Sequence, residues 1–193
     1  MASRKTPAVL SDCRFDADGA VGLDLPGARF EDCAFDRCAL GGRDLRGARF
    51  VDCVFTGCDL TVAKVVNAAF VRVRFRECRL AGIHWSVASK LESVAFEGCQ
   101  LNDGTFLGLS LEGCESTRCV ARGASFRDAK LAGATFRGSD LAMVEFVNCD
   151  LRGADFRGAH DYTLSPAENR LEKARFSLPE AMGLLKGLGI ILE

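Results

Sequence analysis

The side chains of this 193-residue chain that could do chemistry are ten cysteines, two histidines and an almost even set of charges, 25 Lys and Arg against 26 Asp and Glu. Cysteines that hold structural zinc come as close pairs, typically C-x2-C, with four ligands converging on one point. Here the nearest neighbours, Cys33 and Cys38, Cys53 and Cys58, Cys114 and Cys119, are five residues apart. That spacing points to small buried packing residues rather than to metal ligands or disulfides, and reduced thiols agree with a cytoplasmic location. His84 and His160 fall on surface positions with no serine or carboxylate constellation implied around them. There is no Gly-rich nucleotide loop and no HExxH, so neither a catalytic residue, a cofactor nor a metal is expected.

The charges are distributed unevenly. Residues 10–60 hold ten acids and six bases, 64–90 hold one acid and six bases, and 91–161 hold eleven acids and seven bases. A central basic belt of Arg72, Arg74, Arg76, Arg79 and Lys90, with His84 and Trp85 beside it, is a candidate docking surface. The carboxylates Asp140, Glu145, Asp150, Asp155 and Asp161 form a second one that could imitate DNA phosphates. An ordinary solvated face is the alternative for both. A near-zero net charge gives no reason to expect direct binding of nucleic acid, and no stretch approaches the ~18 apolar residues of a membrane span. The first residues, 1–9, carry basic groups without an apolar leader segment.

What positions these groups is a repeat. A large apolar residue recurs every five positions from Leu10 through Phe15, Leu25, Phe30 and Phe35 to Phe75, Leu80 and Trp85. One extra residue within 86–90 shifts the phase by one, after which Leu91, Phe96, Leu101 and Phe106 lead on to Phe156. All fourteen phenylalanines lie on this phase, and all ten cysteines lie two residues before it. Alternate positions of an extended segment point the same way, so each five-residue unit turns one large and one small apolar side chain inward. Cys38, Cys58, Cys78, Cys99 and Cys119 recur at 20, 20, 21 and 20 residues, so four units make one coil. With neighbouring coils ~4.8 Å apart, seven to eight coils over residues 10–160 make a rod roughly 35–40 Å long. Glycines such as Gly82 and Gly133 end their units, where the corner calls for a compact or positive-φ residue.

The repeat stops at Asp161. One further unit, Ala174-Arg175-Phe176, precedes Ser177-Leu178-Pro179-Glu180, which fits a capping box, and a short helix over about 178–187. Residues 161–193 thus form a C-terminal segment whose Met182, Leu184, Leu185, Leu188, Ile190, Ile191 and Leu192 either cap the last coil or build a dimer interface.

The units Ala48-Arg49-Phe50, Cys58-Asp59-Leu60, Ala129-Lys130-Leu131 and Ala154-Asp155-Phe156 resemble the A(D/N)LXX consensus of the pentapeptide-repeat family. That resemblance implies an all-β, right-handed quadrilateral β-helix. The run Ala174-Arg175-Phe176-Ser177-Leu178-Pro179-Glu180-Ala181, with Leu184-Leu185 after it and Gly82-Ile83-His84-Trp85-Ser86 at the centre, is similar to the members that protect bacterial type II topoisomerases, the quinolone-resistance and albicidin-resistance group. This similarity implies a homodimer joined head to head through the C-terminal helix, binding to DNA gyrase and topoisomerase IV, and relief of topoisomerase poisons. Several members carry projecting loops, whereas the only interruption here is the single residue within 86–90. A structural solenoid with a different partner remains the alternative.

Overall fold

The structure, a computed structural model, describes residues 9–17, 19–20 and 22–186. It is a parallel β-solenoid. One side of the coil stacks β1 (Val9–Ser11), β3 (Arg29–Glu31), β5 (Arg49–Val51), β7 (Ala69–Val71) and β9 (Lys90–Glu92) into a five-stranded parallel sheet. The adjacent side stacks β2 (Arg14–Phe15), β4 (Ala34–Asp36), β6 (Val54–Thr56), β8 (Arg74–Arg76), β10 (Ala95–Glu97) and β11 (Glu115–Thr117) into a six-stranded one. The register is the one the spacing requires: Phe35 lies opposite Phe55, Phe55 opposite Phe75 and Phe75 opposite Phe96.

Regular sheet covers about five turns, fewer than the seven to eight coils expected. Beyond β11 the ladder continues as isolated parallel bridges, Lys130 to Asp150, Asp150 to Arg170 and Asp155 to Arg175. Turns on both sides of each bridge leave too few extended residues for a strand.

The interior is apolar and layered. Phe35 and Phe55 stack at 4.4 Å between ring centroids and Phe55 and Phe75 at 5.0 Å, while Phe30, Phe50 and Phe70 stack at 5.0 and 5.1 Å on the neighbouring side. The two columns meet edge to face, as at Phe50 and Phe55, the arrangement aromatic quadrupoles favour. The cysteines fill the small positions. Cys58, Cys78, Cys99 and Cys119 each donate a thiol hydrogen to a carbonyl of the coil before, at Phe35, Phe55, Phe75 and Phe96, over 3.3–3.4 Å. All ten cysteines are free thiols. Where the column runs out of cysteine, Ser139 takes the same place: its hydroxyl donates to the Ser116 carbonyl and accepts the Cys119 N–H. Asn169 does likewise above Cys149.

The corners sit in the left-handed backbone region whatever residue occupies them. Gly82 has φ +68° and Val62, one coil before, φ +50°. A Cβ on Gly82 would approach Val62 Cγ1 to 2.9 Å, so at this corner it is the neighbouring coil that favours glycine, in a backbone conformation glycine adopts without cost. The inserted residue is absorbed in a single 3-10 turn, Trp85–Val87, closed by the Ala88 N–H on the Trp85 carbonyl at 2.9 Å.

At the C-terminal end, Phe176 stacks on Phe156 at 5.1 Å and adds one more layer to the core. The expected capping box does not form. The Ser177 hydroxyl instead accepts the Gly158 N–H of the coil before, and no side chain caps the 3-10 turn Glu180–Met182 that leads into α1 (Gly183–Lys186). Leu184 packs against the core as an internal cap, Leu185 is half-buried, and Leu178 and Met182 remain 78% and 45% exposed. Leu188, Ile190, Ile191 and Leu192 lie outside the described residues.

Candidate docking surface

The central arginines stand on outward positions created by the alternation within β8 and the turns that flank it, but they are not bare charges. Arg72 grips Asp52 of the preceding coil with two hydrogen bonds of 2.6 Å, and Arg79 reaches Asp59 at 2.8 Å. Arg76 pairs forward with Glu97 at 3.7 Å, Arg74 with Glu115 at 4.0 Å, and Lys90 with Glu92 beside it. The belt is therefore a lattice of ion pairs tying coil to coil. Each pair is solvated and contributes little to stability, so its effect on the outside is to present alternating signs rather than a positive field.

Trp85 is not part of that surface. It is fully buried, with its ring 5.4 Å from Phe70, 5.9 Å from Phe75 and Phe96, and 6.1 Å from Phe106. Its position on the five-residue phase dictates this outcome, and it corrects the assignment of Trp85 to a docking surface. The indole N–H has no hydrogen-bond partner in the structure. His84, by contrast, is exposed, and its Nδ1 lies 3.1 Å from Thr105 Oγ1 of the next coil.

The second region has a similar explanation. Asp140, Asp150 and Asp155 each accept the backbone N–H two residues on, at Ala142, Arg152 and Arg157, in the local turn that aspartate side chains favour. They also hold arginines: Arg122 Nε is 2.7 Å from Asp140, Arg152 Nε 2.7 Å from Asp150, and Arg157 Nε 2.9 Å from Asp155. Their carboxyls lie below the ordinary carboxylate range, that of Asp150 at about 2, chiefly because of the Arg152 hydrogen bonds. These aspartates are corner pieces of the coil, neutralised by their partners, which leaves little of the row of free negative charges a phosphate mimic needs. Glu145, exposed, takes the Ser125 hydroxyl and pairs with Arg127. Asp161, also exposed, contacts His160 Nδ1 at 2.9 Å.

One gathering was not foreseen from the sequence. Asp140, His160 and Asp161 place one ligand atom each within 4.8 Å of one another. His160 sits one coil above Asp140 because the bridge register aligns them, which the twenty-residue spacing could have revealed. The Arg122 guanidinium already occupies the Asp140 carboxylate, so one of the cluster's two carboxylates is compensated from the protein side.

No helix among the described residues is long and apolar enough to cross a membrane. A search of curated protein sequences gives no match. Among solved structures, the chain is similar to QnrB1, a plasmid-mediated fluoroquinolone resistance protein, at 19% identity over 97% of this chain and 100% of that one, with a TM-score of 0.49. It is similar at 18% identity to HetL, a pentapeptide repeat protein involved in heterocyst differentiation regulation from the cyanobacterium Nostoc, over 86% of this chain and 84% of that one, TM-score 0.38. A pentapeptide repeat protein of the Arabidopsis thaliana thylakoid lumen matches at 15% identity over 64% of this chain and 68% of that one, TM-score 0.22. The family model for a pentapeptide repeat region matches residues 28–106 and that for pentapeptide repeats (8 copies) residues 122–158. The two family-model matches, together with the five-residue phase and the parallel coil, place the chain in the pentapeptide-repeat family.

Proposed function

We propose that this chain is a non-enzymatic, homodimeric binding protein that engages DNA gyrase, with topoisomerase IV as a second partner, and relieves a bound topoisomerase poison. The observation that carries this reading is at the end of the rod. The segment resembling the topoisomerase-protecting group, Ala174 to Ala181, closes the last layer through Phe176 and immediately afterwards exposes Leu178 and Met182. A capped solenoid has no need of apolar groups in water at that place, whereas a head-to-head dimer has. The outward ion-pair lattice of Arg72, Arg74, Arg76 and Arg79 supports docking on a large, polar partner by exchange of pairs, a mode that governs association rate and specificity more than raw affinity.

Neutralisation of both charged regions by internal partners favours a second reading, a scaffold solenoid with another partner, and argues against mimicry of DNA as the main mechanism. Binding of the purified protein to purified gyrase on a sensor surface separates the two. Saturable binding that weakens as salt is raised past the ~8–10 Å screening regime is expected for the topoisomerase reading. No binding at micromolar concentration in low salt would favour the scaffold.

A further inference from the structure

On the side built by β1, β3, β5, β7 and β9, the coil-to-coil ladder is closed at every step from Val9 to Lys90, and again from Ser110 to Arg170. It is open at one step, between Lys90–Glu92 and Ser110. The same step is closed on the flanking sides, where His84 bridges Thr105 and Ala95 pairs with Glu115. The opening is therefore local, and it follows directly on the inserted residue.

A cleft of about 440 Å³ lies there, between Ala88–Val94 and Leu109–Glu112, within the ~300–1,000 Å³ of ordinary ligand sites. Its two lips keep the groups that a parallel rung would use. Among the described residues, the N–H groups of Leu91 and Ser93 on one lip and of Ser110 and Glu112 on the other make no backbone hydrogen bond across the gap. The Ser110 segment bonds to the coil beyond, the Leu111 N–H to the Lys130 carbonyl at 2.8 Å and the Lys130 N–H to the Leu109 carbonyl at 2.9 Å. The floor is apolar, with Leu91, Leu111 and Cys114 buried. The rim is acidic on one side: Glu92 is paired with Lys90, while Glu112, one coil on, makes no close ion pair among the described residues and has only the more distant Arg152 as a cationic neighbour.

We propose that this cleft is a peptide-binding site that takes an extended segment of a partner protein by strand addition, with apolar side chains toward Leu91 and Leu111 and a basic side chain at Glu112. Two facing open edges with alternating donors and acceptors are complementary to a strand and to little else, because a small molecule cannot match that alternation over three residues. The unpaired glutamate sets the charge of the occupant. This inference does not depend on the identity of the partner.

Amide hydrogen exchange followed by NMR tests it, with the acetylated and amidated peptide Val-Lys-Val-Lys-Val as probe. In the free protein the amides of Leu91, Ser93, Ser110 and Glu112 should exchange at least ~10-fold faster than those of Arg72 and Leu111, which are bonded across closed steps. The lysine peptide should slow those four amides by ~10-fold or more. A glutamate counterpart should act more weakly, and a peptide with proline at its centre should not act at all. Glu112→Lys, on an exposed side chain, should abolish the preference for the lysine peptide while leaving the fold intact. Four amides as protected as Arg72 in the free protein would show the rung to be closed. Unchanged exchange at millimolar peptide, or equal protection by the proline peptide, would equally overturn the site.

Discussion

Phe96 and Ser116 stand in register across the pairing of β10 with β11, and the column of stacked rings that rises through Phe35, Phe55 and Phe75 stops at that serine. It resumes at Phe136, which stacks on Phe156 at 5.1 Å. A small void of about 10 Å³ lies between, lined by Phe96, Phe106, Ser116 and Phe136 among others.

Ser116→Phe should fill that void and complete the column. Burying the ring is worth ~1.5–3 kcal/mol, set against the strain of fitting it into a packed core, ~1–3 kcal/mol. The two nearly cancel, so the expected outcome is an unfolding free energy in urea within about 1 kcal/mol of the parent's. A loss of more than about 1 kcal/mol would show that the coil has closed around the serine.

Trp85, the only tryptophan, reports on the core it belongs to. Its emission should be blue-shifted in the native state and should shift to the red in the unfolding transition. Trp85→Ala should cost ~3–5 kcal/mol. Trp85→Phe should cost much less, because it removes an indole N–H that has no partner. Red emission from the folded protein would restore Trp85 to the surface.

Stability should fall at both ends of the pH scale, for opposite reasons. The carboxyls of Asp44, Asp52, Asp150 and Asp155 are held below their ordinary value of 3.8 by arginine hydrogen bonds, Asp150 at about 2. Their contribution is complete above about pH 4 and is lost as pH falls toward 2. The Cys53 and Cys114 thiols are pushed up from 9.0 to about 12 by burial. An unfolded chain ionises them first, so that contribution is complete below about pH 9 and is lost as pH rises toward 12. Urea midpoints across pH 2–11 check both limbs. A Cys53→Ala, Cys114→Ala double variant should lose less stability between pH 9 and 11 than the parent, and an identical alkaline fall would refute the thiol assignment.

The period of five made most of this fold legible in advance. Phenylalanine, leucine and cysteine columns follow from it directly, since a side chain that recurs at the same point of each coil must stack on its own kind. Trp85 obeys the same phase, and its burial was readable there; the attraction of an aromatic residue beside a basic belt obscured it. The carboxylates were harder to read. Asp140, Asp150 and Asp155 look like free surface charges in sequence, because the partner of each is a backbone N–H two residues on and an arginine brought near by the corner. Ser139 and Asn169 break the cysteine pattern in type while keeping its hydrogen-bonding role. The open step after Lys90 leaves only a one-residue change of phase in the sequence, which says where the coil is disturbed but not which side opens. Ser177 satisfied a local capping pattern, yet its hydroxyl is used by the coil beneath it.

The proposed dimer rests on the exposed side chains of Leu178 and Met182. Light scattering should find a dimer at micromolar concentration, and the double variant Leu178→Asp, Met182→Asp should give a folded monomer, since both side chains are exposed in the single chain and contribute nothing to its core. A monomeric parent protein would remove the head-to-head arrangement.

The most direct test of the proposed function is DNA supercoiling by purified gyrase in the presence of a cleavage-complex poison, with and without this protein. Added protein should restore supercoiling, and reversing the charges of Arg72, Arg74, Arg76 and Arg79 should weaken the rescue while leaving the rod folded, with a cooperative urea transition, because the pairs they leave are solvated. Supercoiling that stays blocked at saturating protein, with several chemically different poisons, would contradict gyrase protection and leave the rod a scaffold for some other partner.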